Sequence, residues 1–232
     1  MKDYLVVIPA RSGSKGLKNK NIKPFNGKPL ITWTVEAAKK VFDKSDICIS
    51  TDSENIAQIV YDETGIKAPF LRPDNLSGDH ASSREFMLHA IEYYESKGYS
   101  YKWIVMLQCT SPLRNEKHLE EALTLVEDDL DMLISVYETD SNPYYLHRLI
   151  SEDNRLIPLF KNSFTRRQDC PKVYELNGAI YVISVDSIKS SEISDFKNVK
   201  PYIMDKKHSI DVDDEIDFKL SEFLHEKLSK EK

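Results

Sequence analysis

Cysteine is scarce in this chain, and long apolar runs are absent. Its three cysteines, Cys48, Cys109 and Cys170, cannot all form pairs, and none stands in a CxxC or cysteine–histidine spacing typical of a zinc site. The apolar run at residues 4–10 is shorter than the core of a signal peptide, and no run approaches the roughly 20 apolar residues that cross a bilayer. These absences predict reduced thiols and a soluble, cytoplasmic protein without a membrane partner.

Positive charge is also in deficit, with 32 Lys and Arg against 38 Asp and Glu and a net charge of −6. Nucleic acids and anionic membranes bind surfaces with an excess of cationic side chains, so neither is an expected partner. Residues 9–30 depart from this acidic background, because PARSGSKGLKNKNIKPFNGKPL contains six Lys or Arg residues and no Asp or Glu. A local basic cluster of this kind favours a small anion as its ligand.

Short β-branched segments alternate with amphipathic segments over the first 140 residues. Residues 4–9, 46–51, 103–108 and 132–137 have the composition of buried strands, and apolar residues at helical spacing lie between them. This alternation predicts an α/β fold, Rossmann-like, with a mostly parallel sheet and helices on both faces. With 41% hydrophobic residues, the chain is long enough for one domain with its own core.

The alternating pattern changes between residues 138 and 172, where prolines separate short segments that have the composition of hairpin strands. We therefore expect an inserted lobe at 138–172. The strand pattern resumes at residues 178–183. A final helix is predicted by the apolar stripe of Ile216, Leu220, Leu224 and Leu228.

The residues that follow each strand are the candidate site, because open α/β sheets bind ligands at the carboxyl ends of their strands. After the first strand, Gly13 and Gly16 would let the backbone amides form an anion nest, and Arg11 and Lys15 add positive charge. The loop lacks the GxxxxGK[ST] pattern of a Walker A motif. The alternative interpretation is a solvated basic loop.

Two further loops carry polar side chains at predicted strand ends. In the loop at residues 72–86, Ser82 and Glu85 fit a capping box, which leaves Arg72 and Ser83 unexplained. In the loop at residues 107–117, the cluster of uncharged hydrogen-bonding groups suits a polyhydroxylated ligand, although ordinary Ser/Thr turns are an equal alternative. Asn115 is the expected cap of the following helix.

Two carboxylates near the C-terminus form the last candidate site. If residues 209–213 are extended, Asp211 and Asp213 share one face, where they would repel each other without a cation between them. Mg²⁺ prefers such oxygen ligands together with substrate phosphates. The alternative is that Asp213 or Asp214 caps the final helix. A phosphate-binding loop and a metal-binding pair together predict nucleoside triphosphate chemistry.

Six ordered motifs resemble the acylneuraminate cytidylyltransferase family, which includes the CMP-sialic acid synthetases and their relatives for legionaminic and pseudaminic acids. The motifs, which span nearly the whole chain, are IPARSGSKGLKNKN, ISTDSENIA, FLRPDNLSGDHASS, LQCTSPLR, ELNGAIYVI and SIDVDDEIDF. The resemblance implies a fold of the nucleotide-diphospho-sugar transferase type and a single cytidylyltransferase domain over residues 1–232. It also makes the lobe at 138–172 a dimerisation lobe of a homodimer with shared active sites.

The resemblance further implies transfer of CMP from CTP to the anomeric hydroxyl of a nine-carbon 2-keto sugar acid, with release of pyrophosphate. Its implied nucleotide-binding residues are Ala10, Arg11, Ser14, Lys15, Lys20, Asn21, Arg72, Ala81 and Ser83. Its implied sugar-binding residues are Gln108, Tyr181 and, from the neighbouring chain, Arg167. Asp211 and Asp213 would hold Mg²⁺, for which Mn²⁺ can substitute.

The implied catalytic residues are Arg11, Lys20 and Asp211, and the proton acceptor is left open among Lys20, Asp211 and a metal-bound hydroxide. The chain departs from the family pattern at Cys109, where a proline is common, and this thiol is expected to be a small buried residue.

A second departure concerns the sugar. Tyr144 and Tyr145 follow Pro143, where sialic acid enzymes tend to carry a basic side chain. This change favours a sugar acid with a second acylamino group and a 9-deoxy carbon. The remaining alternatives for the chain are a 3-deoxy-octulosonate cytidylyltransferase and a catalytically silent nucleotide-binding module.

Overall fold

A computed structural model describes residues 2–13, 16–78, 81–161 and 164–230. The strands are β1 (Lys2–Pro9), β2 (Pro24–Phe25), β3 (Lys28–Pro29), β4 (Ile47–Ser50), β5 (Tyr101–Met106), β6 (Met132–Glu138), β7 (Arg148–Ile150), β8 (Leu156–Pro158), β9 (Tyr174–Ser184) and β10 (Val199–Ile203). The helices are α1 (Leu30–Val41), α2 (Glu54–Thr64), α3 (Ser83–Ser96), α4 (Glu116–Thr124), α5 (Val185–Ser190) and α6 (Glu215–Lys230). The predicted α/β alternation is confirmed.

The central sheet has the strand order β10-β6-β9-β5-β1-β4. Its β4, β1 and β5 run parallel, as do β6 and β10, whereas β9 runs antiparallel to both β5 and β6. The chain returns from the 138–172 region into the gap between β5 and β6 without a crossover helix, and a strand that enters this way is antiparallel. The sheet is therefore mostly parallel, as predicted.

Both faces of the sheet are covered by helices. In β1 the side chains alternate, so that Val6 and Ile8 pack in the core with α1, α2 and α4, while Leu5 and Val7 pack in the core with α3 and α5. All four side chains are fully buried, which explains why this strand is a continuous apolar run in the sequence.

The hairpin segments predicted within 138–172 are confirmed as β7 and β8, which pair antiparallel between β6 and β9 in the chain. Ile150 and Leu156 are 70% and 73% exposed, and Leu149 and Ile157 are exposed beside them. These four side chains are called the hairpin face below. The dimerising role of the lobe stays a prediction.

A third, smaller core brings the two ends of the chain together. Leu17 and Phe25 from the basic segment pack with Val212 and Phe218 at the start of α6. The N-terminal basic loop and the C-terminal acidic segment are thus fixed against each other by buried apolar contacts. Among the described helices, none has both the length and the apolar composition that a bilayer span requires.

Candidate functional site

A cleft of about 660 Å³ opens at the carboxyl ends of β1 and β5, where the strand-end rule placed the candidate site. Its walls come from the first loop, the turn before α3, the loop after β5 and the segment before α6. The residues that line it are Pro9, Arg11, Gly16, Lys20, Asn21, Arg72, Leu76, Ser77, Gly78, Ala81, Ser83, Phe86, Met106, Gln108, Thr110, Asp211 and Asp213.

The cleft brings together opposite charges from the two ends of the chain. Arg11 and Lys20 line it from the first loop, and Asp211 and Asp213 line it from the segment before α6. Lys20 Nζ donates hydrogen bonds to the carbonyl oxygen of Val212 at 2.6 Å and to Asp213 Oδ1 at 3.1 Å. Such a site can bind an anion and a cation side by side, as a metal-bound polyphosphate requires.

Gly16 explains how the basic loop comes so close to the acidic segment. A Cβ atom at this position would lie 2.3 Å from the carbonyl oxygen of Asp213. Gly13, in contrast, has no heavy atom within 4 Å of its virtual Cβ, and neither glycine is among the residues with positive φ. Gly16 is therefore needed for close approach of two backbones, a role that differs from the predicted anion nest.

The predicted nucleotide-binding residues of the first loop differ in the contacts that the structure gives them. Asn21 is buried, lines the cleft and donates from Nδ2 to the carbonyl oxygen of Arg11 at 3.0 Å. Ala10 is 1% exposed and packs in the core, while its N–H donates to the carbonyl oxygen of Ser50. Ser14 and Lys15 lie outside the described residues. The nucleotide contacts of these four residues stay predictions.

The turn before α3 forms a less charged wall of the cleft, to which Arg72, Ala81 and Ser83 all contribute. Arg72 is 5% exposed, donates from Nε to Ser77 Oγ at 3.2 Å and lies 5.3 Å over the ring of Phe86. Burial lowers the pKa of the Arg72 guanidinium, with Arg11 as a smaller contributor, and Asp52 opposes the shift. A planar guanidinium over an aromatic ring suits a flat, polar ligand group.

The structure shows which residues cap helices α3, α4 and α6. Ser82 and Glu85 form the predicted capping box of α3, and Asn115 caps α4. At α6 the cap is Asp214, whose Oδ1 accepts hydrogen bonds from the N–H groups of Ile216 and Asp217 at 2.8 and 2.9 Å. Asp211 and Asp213 take no part in this cap, so both carboxylates remain for the cleft.

Asp211 and Asp213 have the chemistry of a magnesium pair. Val212 between them is fully buried, which directs the two carboxylates to the opposite side, although no strand forms there. Removal from bulk water raises the pKa of Asp211, the hydrogen bond from Thr110 opposes this, and the negative charge of Asp213 raises it further. Among the described residues no third acidic, His or Cys side chain completes a metal site, so phosphate oxygens would supply further ligands.

The loop after β5 places Gln108 beside Asp211. Thr110 Oγ1 donates to the carboxylate of Asp211 and lies 3.4 Å from Gln108 Oε1. Tyr181 on β9 is not among the residues that line the cleft, and its pKa is raised by burial and, to a smaller extent, by the charge of Asp211. Arg167 is not among the residues that line the cleft, and it pairs with Asp140 near the lobe.

Of two further residues in this region, Cys109 agrees with the expectation from the sequence and Gly178 was missed. Cys109 is buried as expected, donates from Sγ to the carbonyl oxygen of Pro9, and has its pKa raised to about 12 by burial, so it is a structural thiol. Gly178 was not selected, yet a Cβ there would lie 2.6 Å from Gln108 Oε1 and 3.6 Å from Asp211 Oδ2. Its φ of 68° also favours glycine.

Comparison with known proteins gives a consistent result. The sequence model of one family, described as cytidylyltransferase, matches residues 5–226. The chain is 34% identical over 229 residues to post-translational flagellin modification protein B of Campylobacter coli, covering 97% of this chain and 95% of that protein. It is 31% identical over 229 residues to the CMP-N,N'-diacetyllegionaminic acid synthase of Campylobacter jejuni, with 97% and 95% covered.

A third relative is longer. The N-acylneuraminate cytidylyltransferase of Streptococcus agalactiae is 36% identical over 217 residues, which are 92% of this chain and 51% of that protein, so the chain spans about half of its length. Among solved structures, CMP:2-keto-3-deoxy-manno-octonic acid synthetase complexed with CTP superposes with a TM-score of 0.72, covering 98% of this chain and 100% of that chain. At 18% identity this likeness concerns the fold.

Proposed function

Because this chain belongs to the cytidylyltransferase family, we propose that it transfers CMP from CTP to the anomeric hydroxyl of a nonulosonic acid and releases pyrophosphate. The observation that carries the proposal is the meeting of Arg11 and Lys20 with Asp211 and Asp213 in one cleft. A retained fold without activity would give no reason to keep two carboxylates side by side, because the like charges of Asp211 and Asp213 repel each other.

The protein's own contribution to the reaction is positioning and neutralisation of charge. The sugar oxygen forms a bond to the α-phosphorus as the bond from that phosphorus to the pyrophosphate oxygen breaks. Arg11 and Lys20 would bind the phosphate oxygens and offset the negative charge that develops on them. Bound at Asp211 and Asp213, Mg²⁺ supplies further neutralisation of the phosphate oxygens, and Mn²⁺ has similar ligand preferences.

Asp211 is the group to which we assign the proton of the sugar hydroxyl. A base needs a lone pair that faces the substrate, and Lys20 Nζ is instead engaged as a donor to Val212 and Asp213. Asp211 lies beside Gln108 on the side of the cleft where the sugar is expected.

The sugar acid is proposed to be of the legionaminic type, with a second acylamino group and a 9-deoxy carbon. Tyr144 packs with Phe160 and Phe164 at ring-centroid distances of 5.1 and 6.2 Å, close to the start of the lobe. Aromatic surface of this kind binds methyl groups better than hydroxyl groups.

A homodimer is proposed to complete the sugar site. The hairpin face is apolar and exposed in the single chain, and a second copy would bury it. Arg167 lies outside the cleft of its own chain, as is expected of a residue that reaches the partner's cleft.

The test of the proposed function is pyrophosphate release from CTP and Mg²⁺ with one sugar acid at a time: sialic, legionaminic, pseudaminic and 3-deoxy-octulosonic acid. We expect turnover with nonulosonic acids and the highest kcat/KM with legionaminic acid. Preference for sialic acid by orders of magnitude would reject the sugar assignment alone. Turnover with only the octulosonic acid, or with none of the four, would reject the proposed function.

Substitution of Gly178 by Ala tests the sugar side of the cleft. The new Cβ would force Gln108 to move, so kcat/KM for the sugar acid is expected to fall about tenfold, the effect of one lost polar contact, while the KM for CTP stays within about twofold. Gly98→Ala is the matched control, because Gly98 also has a positive φ, of 84°, but no atom within 4 Å of its virtual Cβ. Equal losses in both variants would show that backbone strain, and not the contact with Gln108, is responsible.

A further inference from the structure

The peptide group between Arg11 and Ser12 is held from both sides by side chains. Its carbonyl oxygen accepts a hydrogen bond from Asn21 Nδ2 at 3.0 Å, and its N–H donates to Asp52 Oδ1 at 2.8 Å. Ser12 Oγ donates to the second oxygen, Asp52 Oδ2, at 2.7 Å. The carboxylate of Asp52 thus binds Ser12 with both oxygens, and together with Asn21 it fixes the orientation of the peptide that follows Arg11.

This peptide lies where the sheet stops supporting the first loop. The N–H of Ala10 still bonds to the carbonyl oxygen of Ser50, which extends the pairing of β1 and β4 by one residue. Beyond it the chain enters the basic loop, and side chains must replace the sheet as its support. Asp52 is well placed for this role, because it stands between the end of β4 and Ser53, whose Oγ caps α2 by accepting from the N–H of Ile56.

The charge of Asp52 also acts on a second arginine of the cleft. Arg11 and Arg72 both line the cleft, and the positive charge of Arg11 lowers the pKa of Arg72. The charge of Asp52 acts on Arg72 in the opposite direction. In the protein without nucleotide, Asp52 therefore offsets part of the repulsion that would otherwise separate the two cations.

We propose that Asp52 is a positioning residue for CTP: by binding Ser12 it orients Arg11 and the start of the basic loop toward the triphosphate. Asp52 does not itself line the cleft, so it acts through Ser12 and Arg11. This inference rests on the proposed function, since it assigns the loop to the nucleotide. It adds a residue from the ISTDSENIA motif to a site that otherwise has none from the end of β4.

The experiment compares Asp52→Ala and Asp52→Asn with wild type by steady-state kinetics for each substrate and by calorimetric binding of CTP. Asp52→Ala removes both hydrogen bonds, and we expect the KM and Kd for CTP to rise about tenfold, with the KM for the sugar acid within about twofold. Asp52→Asn can still accept from the Ser12 N–H and donate to Ser12 Oγ, so it should lose only about threefold, the contribution of its charge. Glu54→Gln is the matched control, because exposed Glu54 carries the same charge two residues along the chain.

The possible outcomes separate the two proposals. A wild-type protein that neither binds nor uses CTP would reject the proposed function. A wild type that uses CTP, with an Asp52→Ala variant of unchanged KM, would reject the role of Asp52 alone, as would equal losses for both substrates or an equal effect of Glu54→Gln. Should Asp52→Ala fail to fold, Ser12→Ala provides the same test, because it deletes the bond to Asp52 Oδ2 and should raise the KM for CTP about threefold.

Discussion

Substitution of Asp213 by Asn is expected to lower the kcat of CMP transfer about a thousandfold, equivalent to about 4 kcal/mol of transition-state stabilisation. The variant keeps the shape of the side chain but removes one of the two carboxylate charges that would hold Mg²⁺ against the phosphate oxygens. Pyrophosphate release at saturating substrates measures the loss. A titration with Mg²⁺ should show that higher metal concentrations restore part of the rate.

The fold of this variant is expected to be intact. The cap of α6 is Asp214, the side chain of Asp213 is 78% exposed, and Lys20 keeps its hydrogen bond to the carbonyl oxygen of Val212 when the charge of Asp213 is removed. Asp214→Asn is the matched control, since Asn is as good a cap as Asp and the charge lost is one residue away. If Asp213→Asn kept a rate within about tenfold of wild type, or if Asp214→Asn were equally slow, Asp213 would have no place in the metal pair.

The layout of the cleft could be predicted because local rules fix it. A strand buried on both faces is visible as an apolar run, and the residues after β1 and β5 must then lie at one edge of the sheet. The sequence predicts that Asp211 and Asp213 share one face, because the apolar residue Ile210 precedes the pair and Val212 separates its two members. The two carboxylates share one face although residues 209–213 form no strand, because burial of Val212 alone directs its neighbours outward.

The residues that sequence reasoning missed depend on contacts between distant parts of the chain. Asp52 and Ser12 are 40 residues apart, and nothing in ISTDSENIA shows which loop the carboxylate will meet. Gly178 is needed only because β9 enters between β5 and β6 and passes close to Gln108. In the sequence, the Asn177–Gly178 pair before an apolar strand indicates a positive φ at the glycine, but it does not show which neighbouring residue requires it.

The same limit applies to the choice between two possible caps for α6. Asp213 and Asp214 are adjacent and chemically identical, so composition could not assign one to the helix and the other to the cleft. The position of Gly16 against the carbonyl oxygen of Asp213 distinguishes them, since it fixes the backbone two residues before the helix begins. A tertiary contact thus decides which carboxylate caps the helix and which lines the cleft.

Arg167→Ala is expected to reduce kcat/KM for the sugar acid about a hundredfold, while the KM for CTP changes little. A guanidinium that binds the sugar carboxylate makes charge-assisted hydrogen bonds that no other group replaces. In the single chain this side chain pairs with Asp140 outside the cleft, so in the proposed homodimer its effect on the sugar would be exerted in the second copy.

Mixing Arg167→Ala with Asp213→Asn should therefore restore activity that neither variant has alone. If each site uses Asp213 of one chain and Arg167 of its partner, every mixed dimer contains one site with both residues intact and one with neither. Random reassociation of equal amounts makes half of the dimers mixed, so the activity should rise to about a quarter of wild type. A chain that carries both substitutions, mixed with Asp213→Asn, is the control and should stay inactive. No recovery in the first mixture, despite proven exchange of subunits, would place Arg167 outside the active site of the partner.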